Sequence, residues 1–240
     1  MSEAHQTYLR WLEQENRAFV DAAGVDLALP VPSCPGWSVN DLVLHQASFQ
    51  LWITGLVTDR TTDGRAPTDA VPPPRLGVVD WCESVGTGLV AALRACAADT
   101  PVWGVTRHQT AGSWARRQAS ETSVHRWDAQ NAHAAGQPID HADDYLDEMF
   151  VELVPSLVGR FGATAPTGSI ELRSLDQQLS WTAEWSDVGT TFGPQQSAAD
   201  ATVTGTTSDL FLAIWNRSAE VEIDGDLGVL DEWRRAIAGS

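Results

Sequence analysis

Arg116-Arg117-Gln118-Ala119-Ser120-Glu121-Thr122-Ser123-Val124-His125-Arg126-Trp127-Asp128 is the stretch on which the fold turns. It reads as part of a helix over about residues 111–134. At about 100° of rotation per residue, Glu121 and His125 stand one turn apart on a single face. One further imidazole, on a facing helix, would complete three ligands for a divalent metal, with the fourth position open to water, thiol or substrate. His45 is the candidate for that third ligand. Taken singly, these residues have plainer readings. His45 is the kind of histidine that sits satisfied at a core boundary, and Glu121 with His125 is the kind of solvated pair worth a few tenths of a kcal/mol.

Working outward, residues 4–23 carry Leu9, Leu12, Phe19 and Ala23 near one face, an amphipathic helix whose stripe only Asn16 breaks. The connection Leu29-Pro30-Val31-Pro32-Ser33-Cys34-Pro35-Gly36-Trp37 ends at Ser38, and Asp41 three positions on makes an N-cap with an acidic partner. The helix that starts there runs to about Val57 and holds His45 in its second turn. Residues 59–75, with Pro72-Pro73-Pro74, read as a surface loop; further helices are expected over 77–98 and 141–160. Long helices with a metal trio on facing inner positions describe a bundle. Gly162-Ala163-Thr164-Ala165-Pro166-Thr167-Gly168 reads as a linker.

Beyond it the period changes. Ser169–Arg173, Leu179–Trp185 and Ala201–Thr204 alternate as strands, followed by a helix at 206–217, a short strand at Val221–Ile223, a turn at Asp224-Gly225 and a last helix at 227–238. The expectation is an α+β protein, a helical domain over 1–162 and a smaller α/β domain over 163–240.

Fifteen basic residues against 32 acidic ones give a net charge of −17 over 240 residues, which argues against a nucleic-acid partner. No apolar run approaches the roughly 20 residues of a membrane span, and the polar N-terminus does not resemble a signal peptide, so a cytoplasmic protein is expected. Cys34, Cys82 and Cys96 show no metal-type pairing, and their odd number suggests no disulfide framework. Every basic residue is arginine. That bias, with few residues of A/T-rich codons, is the mark of a GC-rich genome such as those of many actinobacteria.

Pro32-Ser33-Cys34-Pro35-Gly36-Trp37-Ser38, followed by Asp41 and His45, resembles the first signature of the mycothiol-dependent maleylpyruvate isomerase family. Arg116-Arg117, Glu121 and His125-Arg126-Trp127-Asp128 resemble its second, and Ser208-Asp209-Leu210, Ile214-Trp215-Asn216-Arg217 and Gly225-Asp226 are similar to its C-terminal domain. The resemblance implies a DinB-like four-helix bundle before a C-terminal α/β domain. It also implies zinc or another divalent metal on His45, Glu121 and His125, and mycothiol as thiol cofactor or co-substrate. An arginine of the C-terminal domain contributes to catalysis in the family, and Arg217 is the nearest match. The implied partner is a small electrophile, either isomerised about a cis double bond or captured by the thiol.

A thiol with a pKa near about 8.5 is mostly protonated at neutral pH, which is why such chemistry needs a cation beside the sulfur. Asp128, three residues past His125, and Asp41, one turn before His45, are each placed to accept a hydrogen bond from a ligand imidazole. An exposed helix carboxylate is the plainer reading of Asp128, and a helix-end cation that of Arg217. Cys34 reads as structural, Cys82 and Cys96 as small buried residues, His108 as a loop histidine rather than a fourth ligand, and Arg116 and Arg117 as surface or ion-pairing groups. Trp37 and Trp127, beside the signatures, are candidates to line a cleft. Two other functions use the same residues: a metal-dependent hydrolase that activates water, and a non-catalytic thiol-binding stress protein. The identity of the electrophile and the oligomeric state are not legible.

Overall fold

The computed structural model describes residues 2–64, 70–73, 75–161, 165–186, 189–194 and 198–238. The chain divides into two compact units, Met1–Gly104 with His108–Gln137, and Val105–Arg107 with Pro138–Ser240. Among the described residues the first holds four helices, α1 (Glu3–Ala23), α2 (Val39–Asp59), α3 (Val78–Arg94) and α4 (Ala111–Asn131). α1 packs along α4 and α2 along α3. Leu9, Leu12, Phe19 and Ala23 of α1 are buried, and full burial of each large apolar side chain is worth about 1.5–3 kcal/mol. Asn16, the break in that stripe, accepts a hydrogen bond from Gln50 Nε2 of α2 at 2.8 Å.

α2 begins in the expected capping box: Ser38 Oγ accepts from the Asp41 backbone N–H at 3.3 Å, and Asp41 Oδ2 accepts from the Ser38 N–H at 2.8 Å. Such a cap is worth about 1 kcal/mol. A second box, Thr110 with Ser113, starts α4. α4 is polar by sequence yet buried almost all round. Thr122 and Arg126 are satisfied by neighbouring helices. Thr122 Oγ1 accepts from Gln46 Nε2 at 2.8 Å and Gln50 Nε2 at 3.3 Å, and Arg126 Nε donates to Glu15 at 2.8 Å.

The second unit starts with a helical stretch built from α5 (Asp143–Asp147), a π-helical segment (Glu148–Leu153) and α6 (Val154–Phe161). Sequence periodicity groups this stretch with the bundle, and the division between the units instead falls at Gln137–Pro138. Its aromatic residues account for that: Tyr145 packs on Phe211, and Phe150 packs on Phe192 and Trp233, with ring centroids 5.8, 5.3 and 4.8 Å apart.

The sheet has the order β3-β2-β1-β4-β5, made of β1 (Ser169–Ser174), β2 (Ser180–Ser186), β3 (Gly189–Pro194), β4 (Ala201–Gly205) and β5 (Glu222–Gly225). β1 and β4 are parallel and the other pairs antiparallel. Ile170, Leu172, Ala183, Ala201 and Val203 are fully buried, and β1 and β4 pack against α7 (Thr207–Ile214) and α8 (Leu227–Ala238). The α+β class and the helical unit before a smaller α/β portion are as the sequence predicts.

Three details differ. β3 was not expected, because its Gly-Thr-Thr-Phe-Gly-Pro sequence lacks an apolar alternation; it is an edge strand, where glycine and proline are tolerated. Asp224 and Gly225 end β5 rather than forming a separate turn. Gly225 has φ +94°, and a β-carbon there would lie 2.4 Å from the Asp200 carbonyl oxygen. Residues 162–164 of the expected linker, and 65–69 and Pro74 of the expected loop, lie outside the described residues. Among the described residues no helix is long and apolar enough to cross a membrane.

Candidate metal centre

The capping box orients α2 so that His45 faces α4 one turn beyond Asp41. The His45 and His125 rings meet edge to face, with centroids 5.2 Å apart. His45, Glu121 and His125 each offer one ligand atom, and these atoms all lie within 4.8 Å of one another. A divalent cation's bonds to nitrogen and carboxylate oxygen run about 2.0–2.2 Å, so three donor atoms this close are within range of a shared ion. Two imidazoles and a carboxylate suit zinc and several other divalent ions.

Each member of the trio is held from outside. Glu121 Oε2 is paired with Arg117 Nη2 at 3.2 Å and accepts from Gln118 Nε2 at 3.4 Å. The Arg117 and Glu121 side chains are 6% and 13% exposed, so the pair is largely dry and Arg117 is an ion-pairing group, the second of its two expected readings, rather than a surface one. His125 Nδ1 lies 3.0 Å from Asp128 Oδ2. A carboxylate there fixes the proton on Nδ1 and leaves the Nε2 lone pair outward. His45 is flanked by Trp37, with ring centroids 5.0 Å apart, and by Phe49, stacked within 7° at 6.2 Å. Burial pushes the His45 imidazole down to about 4, the neighbouring His125 adds to that, and Glu121 opposes it. His45 is therefore neutral at pH 7, the form a metal ligand requires.

The structure thus brings together His45, Glu121 and His125, and joins Asp128 to them through His125. Asp128 has no exposed surface, which removes the plainer reading of an exposed helix carboxylate. Asp41 is exposed and engaged with Ser38 in the cap, so its expected hydrogen bond to a ligand imidazole gives way to helix initiation. His108 is exposed and outside the trio. Trp37 lines the centre, whereas Trp127 is buried beneath Gly136. Cys82 and Cys96 are buried, and burial pushes the Cys82 thiol up to about 12.

Arg217 belongs to the second unit, just past α7. Its backbone N–H donates to the Leu212 carbonyl at 2.8 Å, its Nη1 donates to the Trp215 carbonyl at 2.8 Å, and its guanidinium lies 5.9 Å from the Trp215 ring.

Residues 9–130 match the family model of the mycothiol maleylpyruvate isomerase N-terminal domain. The chain belongs to this family. The mycothiol maleylpyruvate isomerase N-terminal domain, so bounded, contains the whole trio and Asp128. Among curated proteins none matches the chain. Two solved structures share the fold over nearly their whole length. A crystal structure of the mycothiol-dependent maleylpyruvate isomerase is 14% identical, with a TM-score of 0.57, covering 95% of this chain and 98% of that one. A histidine-to-alanine mutant of such an isomerase is 15% identical, with a TM-score of 0.59 and the same coverage.

Sequence reasoning missed Ser33, whose hydroxyl donates to Asp128 Oδ1, and gave no sign that Cys34, read as structural, has its sulfur 3.9 Å from Asp128 Oδ2. It also missed the part Gln118 and Phe49 play beside the trio. Phe49 was within reach, since it sits four residues after His45 on the same helix face.

Proposed function

We propose that this chain is a divalent-metal-dependent enzyme that uses mycothiol as thiol cofactor or co-substrate. The reaction is cis–trans isomerisation of a maleylpyruvate-type electrophile, or transfer of the thiol onto a small electrophile. The observation that carries this reading is the convergence of His45, Glu121 and His125 on one point, within a chain of the mycothiol maleylpyruvate isomerase family.

When bound, a dication at the trio would supply the positive charge that favours thiolate over thiol, and mycothiol would supply the nucleophilic sulfur. The chain's own residues prepare that chemistry. His45 is neutral at neutral pH because it is buried. The trio then contributes a single negative charge, from Glu121, so a dication keeps net positive charge toward an incoming anion. Arg117 and Gln118 hold one oxygen of Glu121 and leave the other available. Asp128 orients His125. Trp37 and Phe49 shield the His45 side from water and strengthen electrostatics there.

Arg217 we assign to the acid end of the electrophile, on the family resemblance. A guanidinium pairs bidentately with a carboxylate and stabilises the enolate that addition creates. The plainer alternative is the one its bond to the Trp215 carbonyl supports, closure of the α7 end.

The test is turnover of maleylpyruvate and of a generic electrophile by metal-loaded protein, with and without mycothiol. Turnover that needs both metal and thiol supports the reading. Turnover independent of thiol favours a hydrolase, and stoichiometric thiol binding without turnover favours a non-catalytic thiol-binding protein.

A further inference from the structure

We propose that Ser33 is a positioning residue of the metal centre, acting through Asp128 on His125. The inference rests on the reading of His45, Glu121 and His125 as ligands. Ser33 lies in the connection before α2, whose shape is closed by its own backbone. Val31 N–H donates to the Trp37 carbonyl at 2.9 Å, Cys34 N–H to the Val31 carbonyl at 3.1 Å and Trp37 N–H to the Cys34 carbonyl at 3.0 Å. Gly36 turns the chain with φ +87°, which a side chain would resist.

From this rigid turn Ser33 Oγ donates to Asp128 Oδ1 at 2.5 Å. Cys34 Sγ approaches the other oxygen, Oδ2, at 3.9 Å, and that oxygen is the one bonded to His125 Nδ1 at 3.0 Å. A carboxylate held at both oxygens has its plane set, and its plane sets the direction of the His125 ring. Asp128 is fully buried, so no bulk water replaces the Ser33 hydroxyl if it is removed. The same turn places Trp37 against His45. One short connection therefore touches two of the three ligands, directly at His45 and through Asp128 at His125.

The experiment compares wild type with Ser33→Ala and Ser33→Thr by competitive titration of zinc against a chelator. Urea unfolding of each metal-free protein and the long-range ¹H–¹⁵N spectrum of the His125 ring are recorded alongside. Ser33→Ala is expected to weaken zinc about tenfold, the lower end of the about 10–100-fold range for groups behind a ligand, and Ser33→Thr to restore it. In the metal-free protein, the His125 proton should leave Nδ1 for a mixture of tautomers in Ser33→Ala and remain on Nδ1 in Ser33→Thr. In an Asp128→Ala background, Ser33→Ala should cause no further loss of affinity. Zinc affinity and tautomer unchanged in Ser33→Ala, with only the unfolding midpoint shifted, would reduce the bond to an anchor and overturn the proposal. If wild type takes up no zinc, the metal reading itself fails, and the His125 tautomer still decides whether Ser33 positions that ring.

Discussion

The His45 imidazole links the candidate metal centre to the stability of the metal-free bundle. Its pKa falls from 6.5 to about 4 on folding, through burial first and the neighbouring His125 second, against the pull of Glu121. The unfolded chain then binds a proton in the window between those values that the folded chain refuses. Stability is therefore complete above pH 6.5 and is lost as pH falls toward 4. At about 1.36 kcal/mol per unit, a shift of this size corresponds to about 3 kcal/mol. The perturbation is His45→Asn, which removes the titration while keeping a polar group. Metal-stripped wild type and variant are unfolded in urea at intervals from pH 7 to pH 4. Carboxylates such as Asp176 and Glu171, raised by burial but held low on balance by hydrogen bonds and, for Glu171, by Arg173, titrate in both proteins and drop out of the difference. Wild type should lose about 3 kcal/mol more than the variant between pH 6.5 and pH 4. Parallel curves would show that His45 is not buried as described and refute the reasoning.

Three further outcomes are expected. Arg117→Met strands the Glu121 carboxylate in a largely dry site and should cost about 3–5 kcal/mol in urea unfolding, with much of the loss recovered in the Arg117→Met, Glu121→Gln double variant. Gly225→Ala forces a β-carbon against the Asp200 carbonyl at an unfavourable φ and should cost about 1–3 kcal/mol in thermal unfolding of the second unit. A thiol reagent at pH 8 should leave Cys82 unmodified in the native protein and label it only in denaturant, read by mass spectrometry, because the thiol is both buried and held protonated.

Much of this architecture is written locally. The Ser38–Asp41 cap, the α1 stripe and the alternation of β1, β2 and β4 depend on residues a few positions apart, and each is found where expected. The trio was legible because helical geometry relates Glu121 to His125 and a signature relates both to His45. The interior of α4 was not legible. Its buried positions carry Gln118, Ser120, Thr122, Ser123, Arg126 and Asp128, so no hydrophobic period marks the inward faces. Thr122 and Arg126 are satisfied there by partners on other elements, and those partners, Glu15, Gln46 and Gln50, are far away in sequence. The Ser33–Asp128 bond spans 95 positions and has no local signal. β3 carries no local signal either, since an edge strand rich in glycine depends on pairing with β2 rather than on its own composition.

The central claim is that His45, Glu121 and His125 form one metal centre. Its most direct measurement is zinc titration of metal-stripped protein by calorimetry, for wild type and for His45→Ala, Glu121→Gln and His125→Ala. The account predicts one ion per wild-type chain and a loss of affinity of at least a hundredfold in every variant, with the metal-free variants still folded. An ion that binds with unchanged affinity after any one of these substitutions, or a wild-type chain that takes up none, would contradict it.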